Sequence, residues 1–114
     1  MHEEPICQWL LDIVLEKAEE AEAKKVLRIY VVNGALSGAI SVHIEFYFRF
    51  LSKATIAEGA NLFFVEAPAE LRCRNCDIVF SPEDISKVTC PGCKERNVEI
   101  VSGRELYIES IEVE

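Results

Sequence analysis

Four cysteines in two pairs carry the clearest chemistry in this chain: Cys73-Arg74-Asn75-Cys76, thirteen intervening residues, then Cys90-Pro91-Gly92-Cys93. A Cys-x-x-Cys turn aims both sulfurs at one point, and two such turns supply the four thiolates that Zn²⁺ takes tetrahedrally at about 2.3 Å. Pro91 presets a tight turn, and Gly92 admits φ > 0 where the turn needs it. Two disulfides, four unrelated core cysteines or a rubredoxin-like iron centre are the alternatives, and the regular spacing favours a single zinc ion over each of them. A four-thiolate site has no open coordination position, so it folds a module and does not catalyse. Any further chemistry lies elsewhere, or the module itself is a recognition surface.

The second constellation is Met1-His2-Glu3. Because His2 is large, Met1 is expected to be retained. Its amine, the His2 amide nitrogen and the His2 imidazole Nδ1 can then hold one metal through fused five- and six-membered chelate rings. The Glu3 amide or carboxylate supplies a fourth position. Nitrogen-rich, square-planar surroundings suit Ni²⁺ or Cu²⁺ better than Zn²⁺. Spacing alone does not make this a site, since a histidine near a terminus is usually a frayed, solvated residue. The other histidine, His43, reads as a surface residue at the solvent edge of a helix, and Cys7 as a small core residue.

These groups must be positioned by the rest of the chain. From Pro5 to about residue 24, Ile6, Leu10, Val14 and Ala21 recur near helical spacing with Cys7, Leu11 and Ala18 beside them, which predicts a long amphipathic helix with Pro5 at its first position. Val26 to Asn33 is β-branched and aromatic and predicts a strand. Gly34 to Gly38 breaks it, and a second helix is expected over about 40–52. Its apolar face is Ile40, Ile44, Tyr47, Phe48 and Leu51, flanked by Phe46 and Phe50, and is expected to be core. Leu62 to Ala67 reads as a second strand, with Pro68 marking the exit toward the cysteines. The last strand spans Glu105 to Val113, where Leu106 and Ile108 fall on one parity and Ile111 and Val113 on the other. A bulge near Ser110, or cover on both faces, would account for that. The expected fold is α+β: a small three-stranded mixed sheet with two helices on one face, plus an inserted zinc-ribbon-like module. Residues 1–69 and 98–114 would form the first unit and 70–97 the insert.

Composition narrows the function. A chain of 114 residues suits one compact unit with at most a small satellite, and 50% hydrophobic residues suffice for a core. The formal net charge is −8, and a Zn(Cys)₄ centre adds roughly two more negative charges. That opposes nucleic-acid binding, which needs a basic face. Neither a signal peptide nor a membrane span is expected, and five cysteines, four in metal spacing, fit a reducing cytoplasm. No Ser/His/Asp set, phosphate loop or open cofactor fold points to an enzyme or electron carrier. A zinc-ribbon protein-interaction or nucleic-acid-binding module is the competing reading.

Taken together, Met1-His2-Glu3, Cys7, the Gly34-x-Leu36-Ser37-Gly38 turn, the two cysteine pairs and the ending Ser102-Gly-Arg-Glu-Leu-x-Ile-x-Ser110-Ile-Glu resemble, in order and over the full length, the HypA/HybF family of hydrogenase nickel-incorporation accessory proteins. The resemblance implies a metallochaperone in which His2, with Met1 through its amine and Glu3, binds Ni(II). Cys73, Cys76, Cys90 and Cys93 would hold structural zinc. It also implies delivery to a NiFe-hydrogenase large-subunit precursor with a HypB-type GTPase, a contribution to urease maturation in some organisms, and a monomer or weak homodimer. Position 5 is often serine and position 35 glutamate in that family; here Pro5 and Ala35 stand there. Pro5 replaces a helix N-cap, and Ala35 removes a carboxylate from the loop after the first strand, while neither touches the implied ligands.

One prediction follows from the ligand types. Imidazole, amine and any bound amide must lose protons to bind nickel, so affinity should fall sharply below about pH 6.5. Nickel titrations at two pH values check this, and equal affinity at both would count against His2.

Overall fold

A computed structural model describes residues 3–82 and 88–114. Along the chain run α1 (Glu3–Glu20), β1 (Val26–Gly34), α2 (Ser41–Leu51), β2 (Asn61–Ala67), β3 (Glu70–Cys73), β4 (Val79–Phe80), β5 (Val98–Ser102) and β6 (Leu106–Val113). Among the described residues six strands form two separate three-stranded sheets, ordered β2-β1-β6 and β4-β3-β5. Among the described residues no helix is long and apolar enough to cross a membrane.

The first sheet is mixed: β1 pairs parallel with β2 and antiparallel with β6. Alternation along β1 sends Ile29 and Val31 to one face, where Leu11, Val14 and Ala18 of α1 and Phe48 of α2 close the core. The cluster Cys7, Leu10 and Ile44 continues it between the two helices. A bulge does resolve the parity conflict in β6. Tyr30 pairs with Ser110 but Val31 with Ile108, leaving Glu109 as the extra residue. The two-residue period restarts after it, so Leu106, Ile108, Ile111 and Val113 all reach the helix-covered face.

Helix boundaries differ from the periodicity in instructive ways. α1 starts at Glu3, so Pro5 sits inside the first turn and not at its first position; its missing N–H is still one of those without an intrahelical partner. α1 ends at Glu20 because Glu22 adopts φ 54°, with the Ala23 amide donating to Ala18 and the Glu22 amide to Glu19, a Schellman closure. On α2 only Ile44 and Phe48 are buried. Ile40, Phe46, Tyr47 and Phe50 are exposed, contrary to the expectation that this stripe is core. The sheet beneath is three strands wide and α1 already covers part of it, so α2 has a neighbour on one side only.

The second sheet was not foreseen strand by strand. β3 carries the first knuckle cysteine and pairs antiparallel with β4 and β5. Because β5 belongs to this sheet, the sheet extends past residue 97. Two short connections, Pro68–Ala69 and Gly103–Glu105, join the sheets. They run close to the end of β1: the Gly34 amide donates to Glu105 at 2.7 Å, the Leu36 amide to Gly103 at 2.6 Å and the Ala35 amide to Ala67 at 2.8 Å.

Gly34 is therefore needed for space. A Cβ there would fall on the Gly103 carbonyl, backbone against backbone, whereas Gly59 has nothing within 4 Å and only a φ of +81° to satisfy. Gly34→Ala should lose about 3 kcal/mol or more of stability, and Gly59→Ala about 1 kcal/mol. Urea unfolding midpoints check the order; equal losses would contradict the crossing at Gly34.

Candidate metal centre

Two knuckles of matching hydrogen bonding build the sulfur site. In the first, the Cys73 amide donates to Ile78 and the Cys73 carbonyl accepts from Asp77; in the second, the Cys90 amide donates to Glu95 and its carbonyl accepts from Lys94. The residue after each pair takes the left-handed conformation, Asp77 at φ 70° and Lys94 at φ 66°. Gly92 is not in that region. It is small because a Cβ would run into Ile78 Cδ1 across the site. The expectation that Gly92 supplies positive φ is thus corrected: the turn's left-handed step falls two residues later, and Gly92 provides clearance.

All four cysteine sulfurs lie within 4.8 Å of one another. Cys73 and Cys93 approach to 3.4 Å, as do Cys76 and Cys90. Four sulfurs about 2.3 Å from one ion at tetrahedral angles stand about 3.8 Å apart, so the cluster fits zinc and leaves every cysteine a free thiol. Cys73 and Cys90 are buried, Cys93 half-buried and Cys76 exposed.

Amide donors prepare the thiolates unequally. The Asn75 side-chain amide, then the Glu95 backbone N–H, hold the Cys93 thiol down at about 6, and the Cys93 and Gly92 backbone amides hold Cys90 below its usual range against burial. At Cys76 the Ile78 amide also favours the thiolate, but hydrogen bonds with the other three cysteines and burial outweigh it, and the thiol is pushed up to about 12. The amide donors thus bias Cys90 and Cys93 toward the thiolate form that binds a metal, and the neighbouring thiols bias Cys76 away from it. Cys7 is unrelated to this site: it is wholly buried between the helices, its thiol donates to the Ile44 carbonyl at 3.2 Å, and burial, then the nearby Glu3 charge, pushes it up to about 11.

Met1 and His2 lie outside the described residues. Glu3 is described, and its carboxylate is nearly buried. Its Oε2 accepts from the Ile40 amide at 3.4 Å, and its Oε1 lies 3.7 Å from His43 Nδ1. Ile40 is the N-cap of α2 and has no capping side chain of its own, so the start of α1 provides a carboxylate at the start of α2, where the helix dipole favours negative charge. Sequence reasoning did not foresee this link, because it joins residues 37 apart. His43 remains half-exposed.

The loop that presents Ile40 is fixed by a second unforeseen residue, Asn33. Its Nδ2 donates to the Ala39 carbonyl at 3.2 Å and Ser41 Oγ at 3.0 Å, while Ser37 Oγ donates to its Oδ1 at 2.5 Å. A buried asparagine at the end of a strand, followed by Gly34 and two serines, is the only signal the sequence offers.

Removing one thiolate tests the sulfur centre. Cys73→Ala should abolish stoichiometric zinc and free the second sheet to unfold before the first, because three donors leave the ion an open position. Elemental analysis with hydrogen exchange checks both; full zinc content in the variant would contradict the assignment.

The family model described as hydrogenase/urease nickel incorporation, metallochaperone, hypA, matches residues 1–113. Hydrogenase maturation factor HypA of Dehalococcoides mccartyi is 43% identical over the whole chain and 95% of its own length. That of Caldanaerobacter subterraneus is 43% identical over the full length of both, and that of Pyrococcus horikoshii 36% identical over the whole chain and 96% of its own. Among solved structures, the Ni metallochaperone HypA from Helicobacter pylori superposes with a TM-score of 0.70 at 28% identity, covering 99% of this chain and 97% of that one. A second HypA solution structure gives 0.74 at 28% identity, covering 99% and 96%. With two helices on a mixed sheet, a separate sheet closed by four cysteines and this full-length match, the chain belongs to the HypA family of hydrogenase/urease nickel-incorporation metallochaperones.

Proposed function

We propose that this protein binds Ni(II) at its N-terminus and delivers it to a NiFe-hydrogenase large-subunit precursor, acting in the cytoplasm with a HypB-type GTPase and, in a host that makes urease, serving that enzyme too. The observation that carries the reading is the match to a nickel-incorporation metallochaperone family over residues 1–113, and the donor types of Met1-His2-Glu3 support a nickel site there. Nickel is the cargo, held by the Met1 amine, the His2 amide and imidazole, and Glu3. A terminal chelate suits a carrier, since the ion must be held against competitors and still be released to the next site. The chain acts as a carrier and not as an enzyme, and as a monomer or weak homodimer.

Zinc is the resident ion in this reading, bound by Cys73, Cys76, Cys90 and Cys93. Bound there, it supplies closure and no catalysis. The unit it closes begins at β3 and includes β5, so its two connections both pass the end of β1. Glu3 supports the division of labour: its side chain is tied to α2, which fixes the root of the nickel tripeptide while the zinc site sits in the other sheet.

Nickel titration of zinc-loaded protein with a native N-terminus, beside His2→Ala and a version extended before Met1, tests the proposal. Stoichiometric binding by the native protein, lost in both variants, is expected. Equal binding by all three would place the cargo elsewhere and overturn the terminal chelate.

A further inference from the structure

We propose that two copies of this chain associate edge to edge through β2, which pairs antiparallel with its own copy about a two-fold axis at Phe64 and gives one continuous six-stranded sheet. This supplies an interface for the weak homodimer of the reading above, on which it rests, and it is independent of the nickel site. In the order β2-β1-β6, β2 and β6 are the edges, and among the described residues no strand pairs with the outer side of either. An open edge offers unpaired N–H and C=O groups to another strand, and natural edges are blunted by charge, proline or a bulge. β6 is blunted in this way: it carries Glu109 and Glu112, and Glu109 is itself the extra residue of the bulge. β2 is not. Asn61–Ala67 holds one charged residue, Glu66, with no proline and no glycine, and its seven residues pair with β1 in unbroken register.

The side chains of β2 are as open as its edge. Leu62 and Phe64 turn to the helix-covered core, while Phe63 and Val65, on the other face of the sheet, are 45% and 52% exposed. There Phe63 stacks on Tyr30 at 5.3 Å, and Val65 and Tyr107 flank Val32, so an apolar strip crosses the face turned away from both helices.

The residues of β2 favour a second copy of the same strand as the occupant. About a two-fold at Phe64, position 63 lies opposite 65 of the second copy, and 62 opposite 66. Phe63 then meets Val65, an aromatic beside a β-branched residue, which is a favourable cross-strand pair, and the symmetry makes that pair twice. The charges stay apart. Each Glu66 falls opposite a Leu62 and stands about 14 Å along the strand from the other Glu66, beyond the Debye length of about 8 Å at physiological salt. A seven-residue strand spans only about 20 Å, so the contact falls short of the roughly 800 Å² per partner of a standard interface. Repulsion between two chains of net charge −8 weakens it further. The dimer is therefore weak and concentration-dependent.

Sedimentation velocity on zinc-loaded native protein, over a wide concentration range at physiological salt, should show a reversible monomer–dimer equilibrium. Val65→Lys should raise its dissociation constant about tenfold or more, because one substitution removes both copies of the pair. Adding Phe63→Glu to Val65→Lys sets opposite charges across each pair and should restore most of the association. Tyr107→Lys, on the same face but at the far edge of the sheet, should leave it unchanged. All three positions are exposed, and circular dichroism should show the variants folded. A native protein that stays monomeric at every concentration would overturn the homodimer and this interface together. A native dimer that survives Val65→Lys, that the double variant does not regain, or that Tyr107→Lys also disperses would overturn the β2 pairing alone.

Discussion

Four sulfurs stand where the second sheet would otherwise need a hydrophobic core. Among the described residues around β3, β4 and β5, those buried are Leu71, Cys73, Cys90 and Gly103, and Val79, Ile100 and Val101 are exposed. So little apolar surface cannot offset the entropy of ordering some thirty residues at about 1–2 kcal/mol each. A structural zinc ion held by the four cysteines would add a closure that burial there does not supply. Everything about the local chain serves this closure: matched amide bonds at Cys73 and Cys90, left-handed turns at Asp77 and Lys94, and clearance at Gly92.

The first sheet is organised on a different principle. Its helices bury Leu11, Val14, Ala18, Ile44 and Phe48 against β1 and its neighbours, and it needs no ion to hold together. In the proposed reading it gives the terminal ligand set a fixed root at Glu3. Glu3 caps α2 through Ile40, Asn33 holds the loop that delivers Ile40, and Ser41 donates to Glu66 of β2, so the start of α1 is connected to the sheet through a continuous set of hydrogen bonds. Because both connections to the second sheet pass Gly34, one residue from Asn33, this hydrogen-bonded set and the cysteine-bearing sheet share a single strand end.

Long periodic segments were legible in the sequence because one face of each is buried: α1, β1, α2, β2 and β6 all fall within a few residues of their expected bounds. The bulge in β6 was legible as a parity change, since only an extra residue returns Ile111 and Val113 to the side of Ile108. The cysteine tetrad was legible as spacing. What escaped was non-local or too short to carry a period. β4 has two residues and β3 four, and each is fixed by pairing that the local sequence does not encode. The α2 stripe was misjudged because periodicity gives an apolar face but not the number of neighbours that cover it. Glu3, read as part of a terminal tripeptide, turned out to be a nearly buried carboxylate on another helix's N-terminus, and Asn33 gave no sign beyond lying between a strand and a glycine.

The central claim is that two ions are kept apart by donor chemistry: sulfur for the resident zinc, nitrogen and oxygen for the cargo nickel. X-ray absorption at both metal edges, on one sample carrying both ions, tests it most directly. The account predicts a zinc shell of sulfur alone and a nickel shell without sulfur. Sulfur around nickel, or nitrogen replacing sulfur around zinc, would contradict it.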